Sequence, residues 1–469
     1  MWTNSPTAKT LSKNFCRMFC IVALLAAALN ASDLTTPLHD AVYNEDVASV
    51  RRLLQSGTSP GTTNRYGVSP ISLAATNGNF EILSLLLNAG ADANTVLPGG
   101  ETVLMTASRT GRPDSVKVLL AKGANVHSKE TAYNQTALMW AAAEGHVETI
   151  QALLKAGAEI NARSKSGFTP LLFAVREGRI PAVQTLLKLG ASPNEAIESE
   201  VRRGGGVKGP PAGGAAALLL AVENGHFQLA SVLLDAGADP NASQTGLTAL
   251  HAITGVRKPG LGDNDPAPDG SGNMSSLDLV GKLVAKGADI NARMTKKIGV
   301  GLTSLNTLGA TPFLLAARSA DSELMRFLAS LGADVRIPNA DNANAVIVAA
   351  GLGTRSPGED AGTEEEVVVA LQAAIDLGVD INAVDNNGET AMHGAAYKNL
   401  PAAVLFLAEK GAKIEIWNRK NKYGWTPLTI AEGYRFGNYK PSPTTIAAFH
   451  KIMLAAGVSI ASDPTAKGR

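Results

Sequence analysis

Cysteine is almost absent from the 469-residue sequence, which has only two, both within the first 20 residues. The rest of the chain therefore has no side chain that can form a disulfide, act as a thiol nucleophile or bind a metal as a thiolate. Aromatic residues make up only 5% of the sequence, and its formal net charge is +1. Such a balanced charge provides no strongly basic surface, so we expect no nucleic-acid partner.

Long apolar segments are also missing, apart from a run of about 12 residues at positions 18–29, MFCIVALLAAAL, where a membrane-spanning helix needs about 20. Basic residues precede this run and small residues follow it, which is typical of a secretory signal peptide. We therefore predict a signal peptide over residues 1–31, cleaved after Ala28 or Ala31. The protein is then exported, periplasmic or extracellular, and has no membrane insertion once the signal is removed.

Glycine, in contrast, is abundant, with 47 residues, and many of these glycines belong to a recurring pattern. Each copy starts with a Thr-Pro-Leu-His-like segment, continues through Ala-Ala or Ala-Val to a glycine, and closes with Leu-Leu-x-x-Gly-Ala. In eight of eleven copies the closing glycine follows the first position by 21 residues, and the next copy commonly begins 12 residues later, a period of 33. The first positions are Thr36, Ser69, Thr102, Thr136, Thr169, Ala216, Thr248, Thr311, Asn344, Thr390 and Thr426.

This period and this start resemble the ankyrin repeat. The resemblance covers about residues 34–460. It implies an all-α repeat fold, namely an ankyrin-repeat solenoid of about eleven helix-turn-helix units with β-hairpin-like fingers. One such unit cannot cover its own apolar face, so the units stack and bury that face between them. We assign the array to residues 32–460 and expect a disordered tail at 461–469.

Local residue chemistry predicts where the helices begin and end. Threonine at the first position is a good N-cap, because its hydroxyl accepts a hydrogen bond from a free N–H of the first turn. Proline at the next position, as at Pro70 and Pro170, suits the first helical residue. A glycine two or three turns later, such as Gly145, can adopt a positive φ and end the first helix.

Departures from the 33-residue period predict five insertions. Two of them lengthen fingers, and we expect these to leave the stack at the edge of the binding groove. Three lengthen the connection between the two helices of a repeat, and we expect them at the opposite edge. The finger insertions lie near 195–214 and 293–308, and the others near 255–275, 351–365 and 433–443.

No pattern in the sequence predicts a catalytic residue, a cofactor site or a metal site. Histidine recurs at one position of the repeat, as at His39 and His251, and no two histidines have the i, i+4 spacing of a zinc site on a helix. The acidic loop that begins at Asp263 does not place oxygen ligands and glycine where an EF-hand calcium loop requires them. We therefore expect structural histidines, and the acidic run Glu364–Glu366 is expected to begin a helix.

A protein-binding surface is the remaining candidate site. In ankyrin arrays the fingers and the first helix of each repeat line a concave groove in which partners usually bind. Tyrosine, tryptophan and arginine dominate binding hot spots, and they are densest between Trp417 and Trp425. The candidate protein-binding residues are Tyr66, Arg109, Tyr133, Phe168, Arg176, Glu177, Tyr397, Trp417, Tyr423 and Trp425.

These features together predict a monomeric, non-enzymatic scaffold that acts outside the cytoplasm by binding another protein through the groove. A bacterial source is expected, because ankyrin arrays seldom enter eukaryotic secretion. Two alternatives stay open. One is an accessory or inhibitory subunit of a membrane or redox enzyme, and the other is a hydrolase or small-ligand binder that uses the inserted loops.

N-terminal sequencing of the native protein checks the signal peptide. We expect the mature chain to begin near Ser32 and to be found outside the cytoplasm, because the basic, short-apolar start is an export signal. Recovery of a cytoplasmic protein that still begins at Met1 would contradict this expectation.

Overall fold

The computed structural model describes residues 36–198, 214–259, 268–299, 303–435 and 440–458. The described residues do not include the predicted signal peptide or the predicted tail. They also leave out Asp263, where the acidic loop begins, and parts of four of the five insertions. The chain forms two compact units. The first consists of Met1–Ala221 with Asp235–Ala238, and the second of Val222–Leu234 with Asp239–Arg469.

Helix pairs account for nearly all of the secondary structure in the described residues, which contain eleven pairs and one additional short helix. The number of pairs confirms the predicted number of repeats. In the first unit the helices are Pro37–Tyr43, Val47–Gln55, Pro70–Asn77, Phe80–Asn88, Val103–Thr110, Pro113–Ala121, Ala137–Glu144, Val147–Lys155, Pro170–Arg176 and Ile180–Lys188. Ala217–Glu223 and Phe227–Asp235 are the next two helices along the chain, and the division between the units falls within each of them.

Five more pairs complete the second unit. The helix Ile414–Trp417 is the additional one and has only four residues. The paired helices are Ala249–Arg257 with Ser276–Ala285, Pro312–Arg318 with Ser322–Ser330, Ala345–Ala349 with Glu364–Asp376, Ala391–Lys398 with Pro401–Glu409, and Pro427–Ala431 with Pro443–Ala455. No helix among the described residues is both long and apolar enough to span a bilayer.

The ends of the helices follow the predicted chemistry. The Thr136 hydroxyl accepts a hydrogen bond from the Met139 N–H at 3.3 Å and so caps the fourth repeat. Pro170 occupies the first turn of its helix. Gly145 ends its helix in the left-handed region with φ 86°, and Thr363 caps a helix that begins with Glu364–Glu366, which confirms the role predicted for that acidic run.

The apolar core lies between successive repeats. First helices pack against the first helices of neighbouring repeats, as Pro170–Arg176 does against Ala137–Glu144. Leu138 and Met139 are almost completely buried there, and Ile150 is completely buried on the second helix. Each pair therefore covers the apolar face of the next, as a solenoid requires.

Asparagine side chains add a polar link between successive repeats. Asn94 donates from Nδ2 to the Gly123 carbonyl at 3.1 Å and accepts at Oδ1 from the Asn125 N–H at 2.8 Å. Asn241 makes the same two bonds, to Gly287 at 2.8 Å and from Asp289 at 2.7 Å. These bonds satisfy backbone groups at a helix end that would otherwise lack a partner.

The fingers are turns rather than paired strands. Across the described ranges there are four isolated β-bridges and no extended ladder, and three of the bridges lie within fingers, such as Val96 with Thr102. Each finger is closed by its own backbone bond, as from the Ser164 N–H to the Phe168 carbonyl at 2.9 Å. Neighbouring fingers are joined by another, from the Lys165 N–H to the Tyr133 carbonyl at 2.8 Å.

The repeated histidine is a structural residue, as predicted. His251 Nδ1 accepts from the Thr248 N–H at 3.1 Å, and its Nε2 donates to the Ala310 carbonyl, also at 3.1 Å. Burial lowers the pKa of His251 to about 4, and it lowers that of His393 to the same value. Both rings are therefore neutral at physiological pH. His251 links a helix start to the stack, and His393 Nδ1 accepts from the Thr390 N–H at the start of its own helix.

Substitution of Gly145 tests whether a positive φ ends the first helix. We expect Gly145→Val to lower the free energy of unfolding by about 1–3 kcal/mol, because valine is strained at this φ. Gly255→Ala is the matched control, since Gly255 lies inside a helix with open space around its α-carbon, and it should be neutral or stabilising. Equal melting temperatures for wild type and Gly145→Val would contradict the assignment.

Candidate protein-binding surface

The first unit exposes side chains along the positions that ankyrin arrays turn toward their groove. The seventh residue after the first position is the last or next-to-last residue of the first helix in each of the first five repeats, and it is at least partly exposed in all five. These side chains are therefore available to a partner, and we call them the groove row. The groove row consists of Tyr43, Thr76, Arg109, Ala143 and Arg176.

Arg109 is held in place by an aromatic ring of the next repeat. Its guanidinium lies 5.0 Å from the centroid of the Trp140 ring, and its Nη2 lies 3.8 Å from the Glu101 carboxylate. The ring itself is half-buried. Trp140 was not among the predicted site residues, although its position one turn before the exposed row would have indicated it.

Arg176 is supported in a similar way. Its guanidinium lies 5.3 Å from the Phe168 ring and 5.0 Å from the Phe173 ring, while its Nε donates to Glu177 at 2.8 Å. Phe168 was expected to contact a partner, but its side chain is buried. That expectation is wrong because the Phe168 ring packs against the Phe173 ring, with 5.4 Å between their centroids, and lies beneath the Arg176 guanidinium.

Three tyrosines project from the fingers as predicted. Tyr66 is 46% exposed, and Tyr133 and Tyr423 are each 43% exposed. Cations lie against two of these rings, Arg65 at 4.7 Å from Tyr66 and Lys422 at 5.0 Å from Tyr423. Exposed aromatic rings with a polar tip suit protein contacts, and their part in binding stays a prediction.

The equivalent row is covered in part of the second unit. Tyr397 was expected in the groove, but it is buried and donates from its hydroxyl to Glu389 at 2.8 Å, while Asn421 lies 3.2 Å from the same oxygen. Burial raises the pKa of Glu389. Tyr397 therefore belongs to an internal hydrogen-bond network and offers no surface to a partner.

Trp417 is likewise internal. Its side chain is 3% exposed, its ring lies 5.8 Å from that of Phe449, and its indole N–H donates to the Ala412 carbonyl at 3.3 Å. The expectation that Trp417 contributes to an exposed cluster is therefore wrong, because the last helix covers it. Trp425 packs at 5.1 Å against Tyr423, which leaves these two rings as the accessible part of that segment.

Two insertions meet instead of leaving at opposite edges. Thr303, in the finger insertion, forms an isolated β-bridge with Thr354, in a connection between paired helices. The Ser304 N–H also donates to the Gly353 carbonyl at 2.8 Å. The predicted separation of the two kinds of insertion is thus wrong for this pair, because the loop after Ala345–Ala349 folds back onto groove positions.

Within the described parts of the chain, little indicates a catalytic or metal site. No cluster of three metal-ligating side chains occurs in those residues. A cavity lined by Val126, His127 and Glu159 among others has a volume of about 60 Å³, whereas pockets for small ligands hold roughly 300–1,000 Å³. The accessible row of the first unit is the better-supported site.

Paired helices, capped starts, turn-like fingers and an exposed groove row define a stacked helical repeat protein. The sequence profile described as "Ankyrin repeats (3 copies)" matches residues 38–130, 125–197 and 361–439, and the profile "Ankyrin repeat" matches residues 213–244. These matches cover more than half of the chain, and the protein belongs to the ankyrin-repeat family. Ankyrin repeats are generally protein–protein interaction modules.

Similar curated proteins share a short repeat segment with this chain. The human transient receptor potential cation channel subfamily A member 1 is 33% identical over 90 residues, which is 19% of this chain and 8% of the channel. The probable E3 ubiquitin-protein ligase XBOS32 of Oryza sativa subsp. japonica is 32% identical over 108 residues, 23% of this chain and 22% of the ligase. The chain thus spans less than a quarter of either protein.

Solved ankyrin domains show the same kind of partial likeness. The ankyrin repeat domain of Bcl-3 is 29% identical with a TM-score of 0.39, over 46% of this chain and 93% of that domain. The human ASB11 ankyrin repeat domain is 23% identical with a TM-score of 0.42, over 60% of this chain and 99% of that domain. The profile matches, rather than these two structures, show that the protein belongs to the family. Neither structure gives information about export or about a bacterial source.

Trp417 and Tyr423 provide a matched test of the revised site. Trp417→Ala should lower the free energy of unfolding by about 3–5 kcal/mol, because it empties a buried space beside Phe449. Tyr423→Ala should change stability by less than about 1 kcal/mol, since Tyr423 is 43% exposed and lies on a finger outside the core. Chemical denaturation measures both, and a stable Trp417→Ala variant would restore the original assignment.

Proposed function

We propose that this protein is a non-enzymatic scaffold that binds another protein through the groove row of its first unit. The observation that carries the proposal is a set of partly exposed side chains, Arg109 and Arg176 of that row and Trp140 one turn before it. Both arginines are held by stacking and by neighbouring carboxylates. Arginine and tryptophan are the residue types that contribute most to binding hot spots.

Preorganisation makes these side chains suited to binding. A free arginine loses much rotamer freedom when a partner immobilises it, and that loss weakens association. Arg109 and Arg176 already rest on aromatic rings at 5.0 Å, so less freedom remains to be lost. The exposed finger tyrosines Tyr66 and Tyr133 extend the same surface with rigid rings.

The place of action and the partner complete the proposal. We propose that the protein is exported, in a bacterial cell to the periplasm or the exterior, because of the signal-like start of the sequence. It acts as a monomer there and has a protein as its partner. The accessory or inhibitory subunit of a membrane or redox enzyme is one form that such a partner relationship takes.

The hydrolase or small-ligand alternative has less support. Buried ionisable groups such as Glu389 and His251 are tied into structural hydrogen bonds and do not line an open cavity. The cavity beside His127 is too small for a typical ligand. A protein surface therefore accounts better for the exposed side chains.

Site-specific photo-crosslinking tests the proposed surface. A photoreactive amino acid at position 140 should crosslink a defined partner, whereas the same residue at position 80 should not, because exposed Phe80 lies on a second helix. In titrations with that partner, the Trp140→Ala, Arg176→Ala double variant should bind about 30-fold more weakly, a loss of about 2 kcal/mol.

The matched control is the double variant Phe80→Ala, Arg51→Ala, which removes an aromatic residue and an arginine from second helices. It should bind as well as wild type. Thermal melting verifies that both double variants are folded. Loss of binding in the control but not in the groove variant would contradict the proposal.

A further inference from the structure

In the second unit the chain itself occupies groove positions. The segment Gly351–Gly362 connects the helices Ala345–Ala349 and Glu364–Asp376. Within it, the Asp360 carboxylate pairs with the guanidinium of Arg318, and the Ala361 carbonyl accepts a hydrogen bond from Lys398 Nζ. Arg318 and Lys398 lie at the ends of the first helices of their repeats and form what we call the cationic seat.

Burial of the cationic seat depends on this segment. Lys398 and Asp360 are 4% and 5% exposed, whereas the side chain of Glu177, at the position equivalent to Lys398, is 33% exposed. The Arg318 side chain is 11% exposed, against 33% for Arg176 and 16% for Arg109 at the equivalent position. Taking cations out of water is costly unless an anion or a hydrogen-bond acceptor compensates them. Glu366 does not replace Asp360, because it is already paired with Lys258.

Two glycines allow the segment to bring the Asp360 carboxylate and the Ala361 carbonyl close to the cationic seat. Gly351 and Gly362 both have positive φ, at 103° and 87°. A β-carbon on Gly351 would lie 2.6 Å from Lys398 Cβ, and one on Gly362 would lie 2.6 Å from Ala320 Cβ. The backbone thus approaches the seat closely at both ends of the segment.

The middle of the segment is exposed. Arg355, Gly358 and Glu359 face solvent, while Thr354 donates from its hydroxyl to Asp360 Oδ2 at 3.0 Å and orients that carboxylate. Thr303 and Ser304 hold the start of this loop, and its contacts with the seat are one carboxylate and one adjacent carbonyl. With its centre in water, the end of the loop binds the seat much as a separate peptide would.

We propose that the cationic seat is a second binding surface, one that takes an acidic segment of a partner protein, and that Gly351–Gly362 occupies it as an internal ligand. The kind of partner follows from the contacts of the segment. Arg318 requires a carboxylate, and Lys398 requires a backbone carbonyl one residue later, so the partner presents an Asp-Ala-like acidic turn. The proposal deepens the proposed function and rests on it, because it takes groove positions to be binding positions.

A deletion of residues 354–362 exposes the seat for a direct test. It joins Gly353 to Thr363, which then stand at the repeat positions that Gly78 and Asn79 hold in the second repeat, and it shortens the connection between Ala345–Ala349 and Glu364–Asp376 to five residues. The probe is a fluorescently labelled synthetic peptide with the sequence of residues 351–363. Because it requires no natural partner, the test is independent of whether the groove row of the first unit binds one.

We expect the deletion variant to bind this peptide and wild type to bind it at least about tenfold more weakly, since its own segment competes. A peptide with Asp360→Ala should also lose about tenfold in affinity. Arg318→Ala in the deletion variant should reduce binding by a similar factor, whereas the control Arg176→Ala should not. Equal binding of the two peptides, or no binding by a folded deletion variant, would overturn the proposal.

The full-length chain with Asp360→Ala provides the test if the deletion variant does not fold. Trypsin should cleave this variant after Arg355 several times faster than wild type, while circular dichroism shows the helices intact. The labelled wild-type peptide should bind it in trans, because the seat has lost its internal carboxylate. An unchanged cleavage rate or no peptide binding would overturn the proposal.

Discussion

A helix pair in this protein carries one apolar face that only a neighbouring pair can cover, and Leu138, Met139 and Ile150 are buried in this way. All other features depend on this burial. Caps and left-handed glycines bring each pair to the correct length, so that its apolar face meets the next one in register. Asparagine links then satisfy the polar helix ends at the same interface. Side chains that do not take part in stacking remain available to bind a partner.

Local residue chemistry made much of the fold predictable. Thr136, Pro170 and Gly145 have strong conformational preferences of their own, so their positions indicated helix ends without any knowledge of neighbours. Tyr66 and Tyr133 were likewise placed on fingers by the repeat frame alone, and both are exposed. Family membership and the number of helix pairs follow from the same periodic signals.

The failures of sequence interpretation share one physical cause. Trp417 is covered by Phe449 of the last helix, Phe168 lies under Arg176, and Tyr397 bonds to Glu389 and Asn421. The repeat frame gives the position of each backbone segment but not the identity of the side chain that covers a ring, so the frame alone does not distinguish a buried ring from an exposed one. The path of the segment after Ala349 was missed for the same reason, because it depends on Arg318 and Lys398.

The asparagine link also governs where the chain tolerates added length. Asn194 bonds to the Gly237 carbonyl at 3.1 Å although the intervening finger is longer than in most repeats. Asn241 bonds to Gly287 at 2.8 Å across a lengthened connection between helices. Because the link spans only the helix ends, residues added on either side of it leave the interface unchanged. Such sites are natural grafting points, where a foreign loop can be inserted without rebuilding the stack.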